Sequence, residues 1–131
     1  MIASLDTNVI VRLFVDENSA QTAAAHASLT KYEQLYIADV TIIESVYILA
    51  EWYKLGRTKT KELIDGLMNH PKINCNKVLF SKVMPFYTEH PALSIEDCCI
   101  VFCADLSYAT PLLTFDKKLA NQSPHAKLLK V

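Results

Sequence analysis

A short apolar run that ends at an acid and leads into a helical pattern recurs along this chain. Three places share the pattern: residues 1–6, LYIA at 35–38 before Asp39, and LLTF at 112–115 before Asp116. Runs of this length are typical of strands, with LLTF expected to be buried, and the apolar spacing after each run favours a helix. Alternating strands and helices predict an α/β fold around a mainly parallel sheet.

Helical patterns fill most of the remaining chain. Asn18 or Ser19 is expected to cap an Ala-rich second helix. Residues 41–55 are apolar on most sides, so we predict a central, buried helix that ends near Gly56. Charged amphipathic spacing predicts a helix over residues 58–70, and a strong helical pattern covers residues 94–108.

Two further segments allow a strand. In residues 72–80 the letters INCNKVLF allow a third strand, and residues 81–90 are expected to return as helix despite Pro85. KLLKV at the C-terminus allows a last strand. We therefore predict one domain over residues 1–131, with a central sheet of four or five strands flanked by helices.

Composition excludes several classes of protein. With 51% hydrophobic and 21% charged residues, a chain of 131 residues can bury a core without disulfides, so dominant disorder is excluded. The net charge of −1 offers no global basic field, so nucleic acid would need a local patch. The two glycines, Gly56 and Gly66, cannot form a Gly-rich phosphate loop. Lacking a long apolar run or a basic leader, the chain is expected to be cytoplasmic and not membrane-bound.

Cysteine and histidine spacing does not favour zinc. The cysteines make no Cys-x-x-Cys pair and the histidines no His-Glu-x-x-His pattern; they are Cys75, Cys98, Cys99, Cys103, His26, His70, His90 and His125. We interpret the cysteines as reduced core residues and the histidines as surface or cap residues.

Four acids occupy special places in the predicted fold. Asp6 and Asp116 follow strands, whereas Glu44 and Asp97 lie in the first turns of the two most apolar helices. Capping explains each one singly, since Thr41-x-x-Glu44 and Ser94-x-x-Asp97 match the capping box and the other two are plausible N-caps.

Capping does not explain why all four would gather. Helix starts in a parallel sheet meet at one edge, and two carboxylates roughly 5 Å apart repel by about 3 kcal/mol at an effective dielectric near 20. Such a cluster needs protonation or a divalent cation, and oxygen-only ligands favour Mg²⁺ or Mn²⁺. That chemistry suits cleavage of a phosphodiester by metal-activated water.

The motifs around these acids resemble the PIN-domain ribonucleases, and in particular the VapC-type toxins of toxin–antitoxin pairs. The resemblance covers nearly the whole chain and rests on LDTNVIVRLF around Asp6, TIIESVYIL around Glu44, SIEDCCIVFCA around Asp97 and TFDKKL around Asp116. The chain differs from the common pattern of the family in the bulky Cys98 and Cys99. Residues 72–91 match no named motif.

The resemblance implies a PIN-like three-layer sandwich and an Mg²⁺-dependent endoribonuclease, the toxin of a type II toxin–antitoxin system. Asp6, Glu44, Asp97 and Asp116 would bind the metal. Asn8 and Thr114 match polar positions that support the acids through hydrogen bonds. It also implies a homodimer and a small antitoxin that inserts a segment, often carrying an Arg, into the acidic site.

Basic, aromatic and acidic residues outside this set are interpreted as follows. Phosphate contacts are expected from three basic residues near the acids, namely Arg12, Lys117 and Lys118. Lys54, Arg57, Lys59 and Lys61 are interpreted as a solvated helix end, and Tyr47, Trp52 and Tyr53 as core or subunit interface rather than base-stacking platforms. Glu51 and Asp105 are interpreted as structural or solvated, with an accessory site role as the alternative.

Two rival functions remain at this point. One is an inactive PIN-like module that binds a partner protein or RNA, in which the acids would serve only as caps or as an Arg-binding site for the partner. The other is an aspartyl phosphotransferase, which would use Asp6 as the nucleophile. That chemistry requires an Asp-x-Asp motif, and this chain has Asn8 at the third position of the motif.

Overall fold

The computed structural model describes residues 1–131, which divide into two compact units, Met1–Asn76 and Lys77–Val131. The prediction that they make one domain stays a prediction.

The first unit alternates strands and helices. Its elements are β1 (Ile2–Ser4), α1 (Thr7–Phe14), α2 (Ser19–Lys31), β2 (Gln34–Tyr36), α3 (Asp39–Tyr47), a π-helical segment (Ile48–Trp52), α4 (Arg57–Met68) and β3 (Ile73–Asn74). The strands form one parallel sheet in the order β1-β2-β3. Parallel pairing needs long crossovers, and the helices between the strands supply them.

Apolar spacing explains how the first unit forms its core. Leu35 in β2 and Ile37 just after it are two positions apart, so both side chains point to the buried side of the sheet. Ile10 and Val11 of α1 and Ile42 of α3 are also buried, and they place the apolar sides of these helices in the core. The Asn18 side chain caps α2 by accepting a hydrogen bond from the backbone N–H of Gln21 at 3.1 Å, as predicted.

The predicted helix over residues 41–55 changes its winding. It begins earlier, at Asp39, and becomes π-helical from Ile48, where the N–H of Tyr53 bonds to the carbonyl of Ile48 at 2.9 Å. It ends at Trp52, near Gly56 as predicted, and the chain then turns through positive φ at Lys54 and at Gly56, which precedes α4.

Two aromatic residues of this helix are not core residues. Tyr47 is 52% exposed and Trp52 is 73% exposed, so the predicted burial of this helix does not extend to them. An apolar face wider than the core can cover leaves residues on the solvent side, and these two lie there. Of the two interpretations, core residue and subunit-interface residue, the first is therefore excluded for both.

The second unit contains three helices and two strands. They are α5 (Lys77–Glu89), α6 (Ile95–Leu106), β4 (Leu112–Thr114), α7 (Lys117–Gln122) and β5 (Ala126–Leu128). β4 and β5 pair in parallel, with Leu113 opposite Lys127 and α7 as the crossover. Cys98 and Cys99 of α6 are buried as predicted, whereas Cys103 is exposed and is therefore not a core residue.

The strand predicted within residues 72–80 needs correction. Residues 77–80 begin α5 rather than ending a strand, because the buried positions Leu79, Phe80, Val83, Met84 and Tyr87 have helical spacing. The strand predicted there is confined to β3.

The strand LLTF is less buried than predicted. Leu113 is 57% exposed and Phe115 is 67% exposed, since alternate side chains of a strand point to opposite faces.

The α/β class, the parallel strands and the flanking helices are confirmed. The five strands hydrogen-bond as a three-stranded and a two-stranded sheet rather than as one sheet. None of the helices combines the length and the apolar character that crossing a membrane requires.

Candidate functional site

Asp6 lies between β1 and α1, where it caps the helix. Its backbone is extended, and its Oδ1 accepts a hydrogen bond from the N–H of Thr7 at 2.7 Å. The side chain is exposed, and Oδ2 accepts no hydrogen bond from the protein. Asp6 is thus held through one oxygen while the other remains open to a ligand.

Glu44 is not a capping residue. The predicted capping box with Thr41 is wrong, because α3 begins two residues before Thr41, with Ala38 in the N-cap position. The Oε2 atom of Glu44 instead accepts a hydrogen bond from the hydroxyl of Thr7 at 3.1 Å. No helix-end requirement accounts for an acid at this position.

Thr7 joins the two acids of the first unit. It is only 6% exposed, its N–H donates to Asp6 and its hydroxyl donates to Glu44. Sequence reasoning missed this residue. A signal for it exists, because Thr7, Ile10 and Val11 share the buried face of α1, and a hydroxyl on such a face requires an acceptor.

Asn8 and Thr114, the two polar residues that the resemblance implies as supports for the acids, differ in their hydrogen bonds. Asn8 is exposed, and its amide makes no hydrogen bond to an acid; in this structure Thr7 makes that bond. The hydroxyl of Thr114 accepts a hydrogen bond from the backbone N–H of Asp116 at 2.9 Å and does not contact its carboxylate, so a supporting role for Thr114 stays a prediction.

The acids of the second unit both cap helices. Asp97 forms the predicted capping box with Ser94: its N–H donates to the Ser94 hydroxyl at 3.0 Å, and its Oδ2 accepts from the Ser94 N–H at 3.2 Å. Asp116 Oδ1 accepts from the N–H groups of Lys118 and Leu119 at 2.9 and 3.3 Å. The second oxygen of each carboxylate has no hydrogen-bond partner in the protein.

The donor chemistry of these residues suits a hard divalent cation. All four acids offer a carboxylate oxygen free of protein hydrogen bonds, and Mg²⁺ is bound by such oxygens and by water rather than by complete protein cages. Neither unit by itself contains a group of three or more His, Cys, Asp or Glu side chains arranged to hold a metal ion. Within the first unit the pair Asp6 and Glu44, joined by Thr7, is the candidate metal-binding element.

Arg12 is engaged within the protein. Its Nε donates to Gln21 at 3.1 Å, its Nη1 donates to the Tyr53 hydroxyl at 3.3 Å, and its Nη2 lies 3.7 Å from the carboxylate of Glu17. The hydrogen bond with Tyr53 raises the pKa of the Arg12 guanidinium, and the nearby carboxylates act in the same direction. A phosphate-binding role for Arg12 would have to compete with these partners.

The lysines assigned from the sequence differ in whether they pair with a carboxylate. Lys117 and Lys118 are exposed in the first turn of α7, directly after Asp116. Lys59 and Lys61 form intrahelical ion pairs with Glu62 and Asp65, as expected of a solvated helix.

Capping and charge at Asp116 can be separated by substitution. We expect Asp116→Ala to lower the free energy of unfolding by about 1 kcal/mol, and Asp116→Asn to preserve it, because Asn caps helices as well as Asp does. Urea unfolding of the full chain measures both variants. Equal destabilisation by Asn and by Ala would contradict the capping assignment and show that the charge itself stabilises the fold.

Together these observations define an α/β protein with parallel strands and with hydrogen-bonded, partly open carboxylates at or near its helix starts. The chain belongs to the PIN domain family, which matches residues 3–123. PIN domains are generally nucleases and typically use divalent metals, which places the protein among the hydrolases at that level. No curated protein matches the chain significantly.

Proposed function

We propose that this protein is an Mg²⁺-dependent endoribonuclease in which Asp6, Glu44, Asp97 and Asp116 bind the metal. The observation that carries the proposal is Glu44. Its carboxylate has no capping role, yet a buried threonine orients it and connects it to Asp6. Helix capping explains the other three acids at least in part, but it does not explain this one.

The chemistry divides between the ion and the protein. When bound, Mg²⁺ would activate a water molecule and neutralise charge on the phosphodiester; Mn²⁺ could replace it. The protein positions the carboxylates in advance, through helix N-termini at Asp6 and Asp116 and through Thr7 at Glu44. Lys117 and Lys118 would contact RNA phosphates and position the strand without reading its sequence. We assign no side-chain nucleophile.

Metal-dependent cleavage is the direct test. Purified protein free of any partner should cleave single-stranded or structured RNA with Mg²⁺, lose cleavage on chelation and regain it when Mg²⁺ or Mn²⁺ is returned. The same ions should raise the midpoint of thermal unfolding, because they bind only the folded state. Cleavage that is indifferent to chelation, or no cleavage of any RNA together with no stabilisation, would contradict the proposal.

The wider biological role is part of the proposal. The resemblance to VapC-type toxins supports a cytoplasmic toxin that forms a homodimer and is inhibited by a small antitoxin bound at the acids. Expression alone should arrest growth, and co-expression of the product of an adjacent short reading frame should relieve the arrest. Growth unaffected by expression of an RNA-cleaving protein would reject the toxin role and leave the nuclease proposal intact.

An inactive binding module is the second candidate. It is favoured by the capping roles of Asp6, Asp97 and Asp116, which need no metal. Such a module would show neither stabilisation by Mg²⁺ nor metal-dependent cleavage, so the same experiment separates it from the nuclease.

A further inference from the structure

A groove of about 300 Å³ runs along α1 on the side that faces the end of α3 and the π-helical segment. Tyr47, Trp52 and Tyr53 contribute aromatic rings to it, and Asn8 and Arg12 contribute polar groups. Its volume is at the lower end of the range for small-ligand sites. The proposed metal chemistry uses neither the aromatic rings nor the amide of Asn8.

The aromatic residues of the groove are available for stacking. Tyr47 and Trp52 are more than half exposed. In an α-helix, residues five positions apart differ by about 140° around the axis. The π-helical winding after Tyr47 turns less per residue, because its hydrogen bonds join positions five apart, so Trp52 returns toward the side of Tyr47.

Asn8 supplies hydrogen bonds that the protein does not use. Its amide is exposed and makes no hydrogen bond in the structure. A primary amide presents two N–H donors and one acceptor, a set that matches the edge of a nucleobase. Asn8 therefore adds directional recognition to a groove whose other surfaces are largely aromatic or aliphatic.

The charge in the groove does not favour an anion. The guanidinium of Arg12 is paired with Glu17 and bonded to Tyr53, whose own hydroxyl donates to Glu17 at 2.7 Å. This network fixes the position of the Tyr53 ring and offsets the positive charge. A flat, neutral ring with hydrogen-bonding edges therefore fits the groove better than a phosphate or an acidic peptide does.

The groove is also close to the two joined acids. Asn8 is two residues after Asp6 at the start of α1, and Tyr47 is one helical turn after Glu44 on α3. The helices that position the acids thus also carry the groove, about one turn further along.

We propose that this groove binds one unpaired nucleobase of the RNA substrate, with the base stacked on Trp52 and Tyr47 and its edge bonded to Asn8. The inference rests on the proposed nuclease function and adds to it a contact site for one base of the substrate. Arg12 and Tyr53 are positioning residues in this arrangement.

Trp52 allows a direct test because it is the only tryptophan of the chain. Short single-stranded RNA oligonucleotides, titrated into the protein without divalent metal, should quench the Trp52 fluorescence by stacking. A duplex of the same length should quench far less, because its bases are already stacked on one another. Absence of quenching at RNA concentrations that saturate binding by anisotropy would overturn the inference.

Substitutions give an independent readout. Trp52→Ala should weaken single-stranded RNA binding about tenfold and duplex binding little, since one base–aromatic stack is worth about 1–3 kcal/mol and 1.4 kcal/mol is tenfold. Trp52→Phe should retain most of the affinity. Asn8→Ala should reduce the difference in affinity among homopolymeric RNAs. Tyr108→Ala is the matched control, because Tyr108 is an almost fully exposed aromatic residue outside the groove.

The possible results separate the two proposals. Metal-dependent cleavage with RNA affinity unchanged in Trp52→Ala would overturn the nucleobase site and leave the nuclease proposal standing. Quenching and loss of affinity without any cleavage would support the nucleobase site and overturn the nuclease. If Trp52→Ala weakens binding of a protein partner while single-stranded RNA affinity is unchanged, the groove is a protein interface and the inference fails.

Discussion

Glu44→Gln is expected to reduce RNA cleavage by more than about 100-fold while leaving the free energy of unfolding within about 0.5 kcal/mol of the original. Residues that only orient metal ligands typically contribute 10- to 100-fold, so loss of a ligand charge should exceed that range. Gln retains the length of the side chain and can accept the Thr7 hydrogen bond through its carbonyl oxygen, so the variant removes charge and little else. Initial cleavage rates and urea unfolding measure the two effects.

A second glutamate provides the control for that experiment. Glu62 is exposed on α4 and pairs with Lys59 at 3.5 Å, so Glu62→Gln also removes one negative charge from a helix surface. Its cleavage rate should match that of the original protein. If Glu44→Gln is as active as Glu62→Gln, Glu44 is not a metal ligand and the nuclease proposal loses its main support.

Substitution of an acid by its amide is informative in this protein because capping and metal binding have different requirements. Asp6 needs only an oxygen acceptor to cap α1, and an amide oxygen meets that need. A divalent cation gains from the full negative charge. Capping is thus preserved in Asp6→Asn, and we expect the variant to fold normally and to lose cleavage.

Local signals were enough to predict much of the fold and part of the site. The caps at Asp6, Asn18 and Asp116, and the capping box of Ser94 with Asp97, depend on residues within three positions of one another. The alternation of short apolar runs with helical patterns also identified the α/β class. These features are local, so a single sequence contains them.

Features that depend on distant residues were not predictable in the same way. Thr41 fits the capping-box spacing with Glu44, but α3 starts at Asp39 instead, with the apolar side of the helix in the core. The hydrogen bond between Thr7 and Glu44 spans 37 positions, and no local pattern indicates it.

The π-helical winding was missed for a similar reason. An apolar run predicts a helix but not its hydrogen-bond register, so the exposure of Trp52 could not be read from its neighbours.

Thr7→Val should separate the positioning of Glu44 from the stability of the fold. Val has nearly the shape of Thr and is apolar, so it fits the buried site, and Glu44 is exposed enough for water to replace the lost donor. We expect stability to change by less than about 1 kcal/mol, because a single hydrogen bond has a net value near that size. Cleavage should fall about 10- to 100-fold, the range found when residues that orient metal ligands are replaced.

The kinetic form of the loss distinguishes positioning from a general structural defect. In Thr7→Val the Mg²⁺ concentration needed for half-maximal cleavage should rise and kcat should fall, with the KM for RNA nearly unchanged, because under the proposal the buried Thr7 would orient a metal ligand and would not contact RNA. Thr7→Ser keeps the hydroxyl and should recover most of the activity. In a Glu44→Gln background the Thr7→Val change should cost little more, since both act through the same carboxylate. An equal loss in the Ser and Val variants, or a fully additive loss in the double variant, would show that Thr7 acts through packing and that Glu44 does not depend on its hydroxyl.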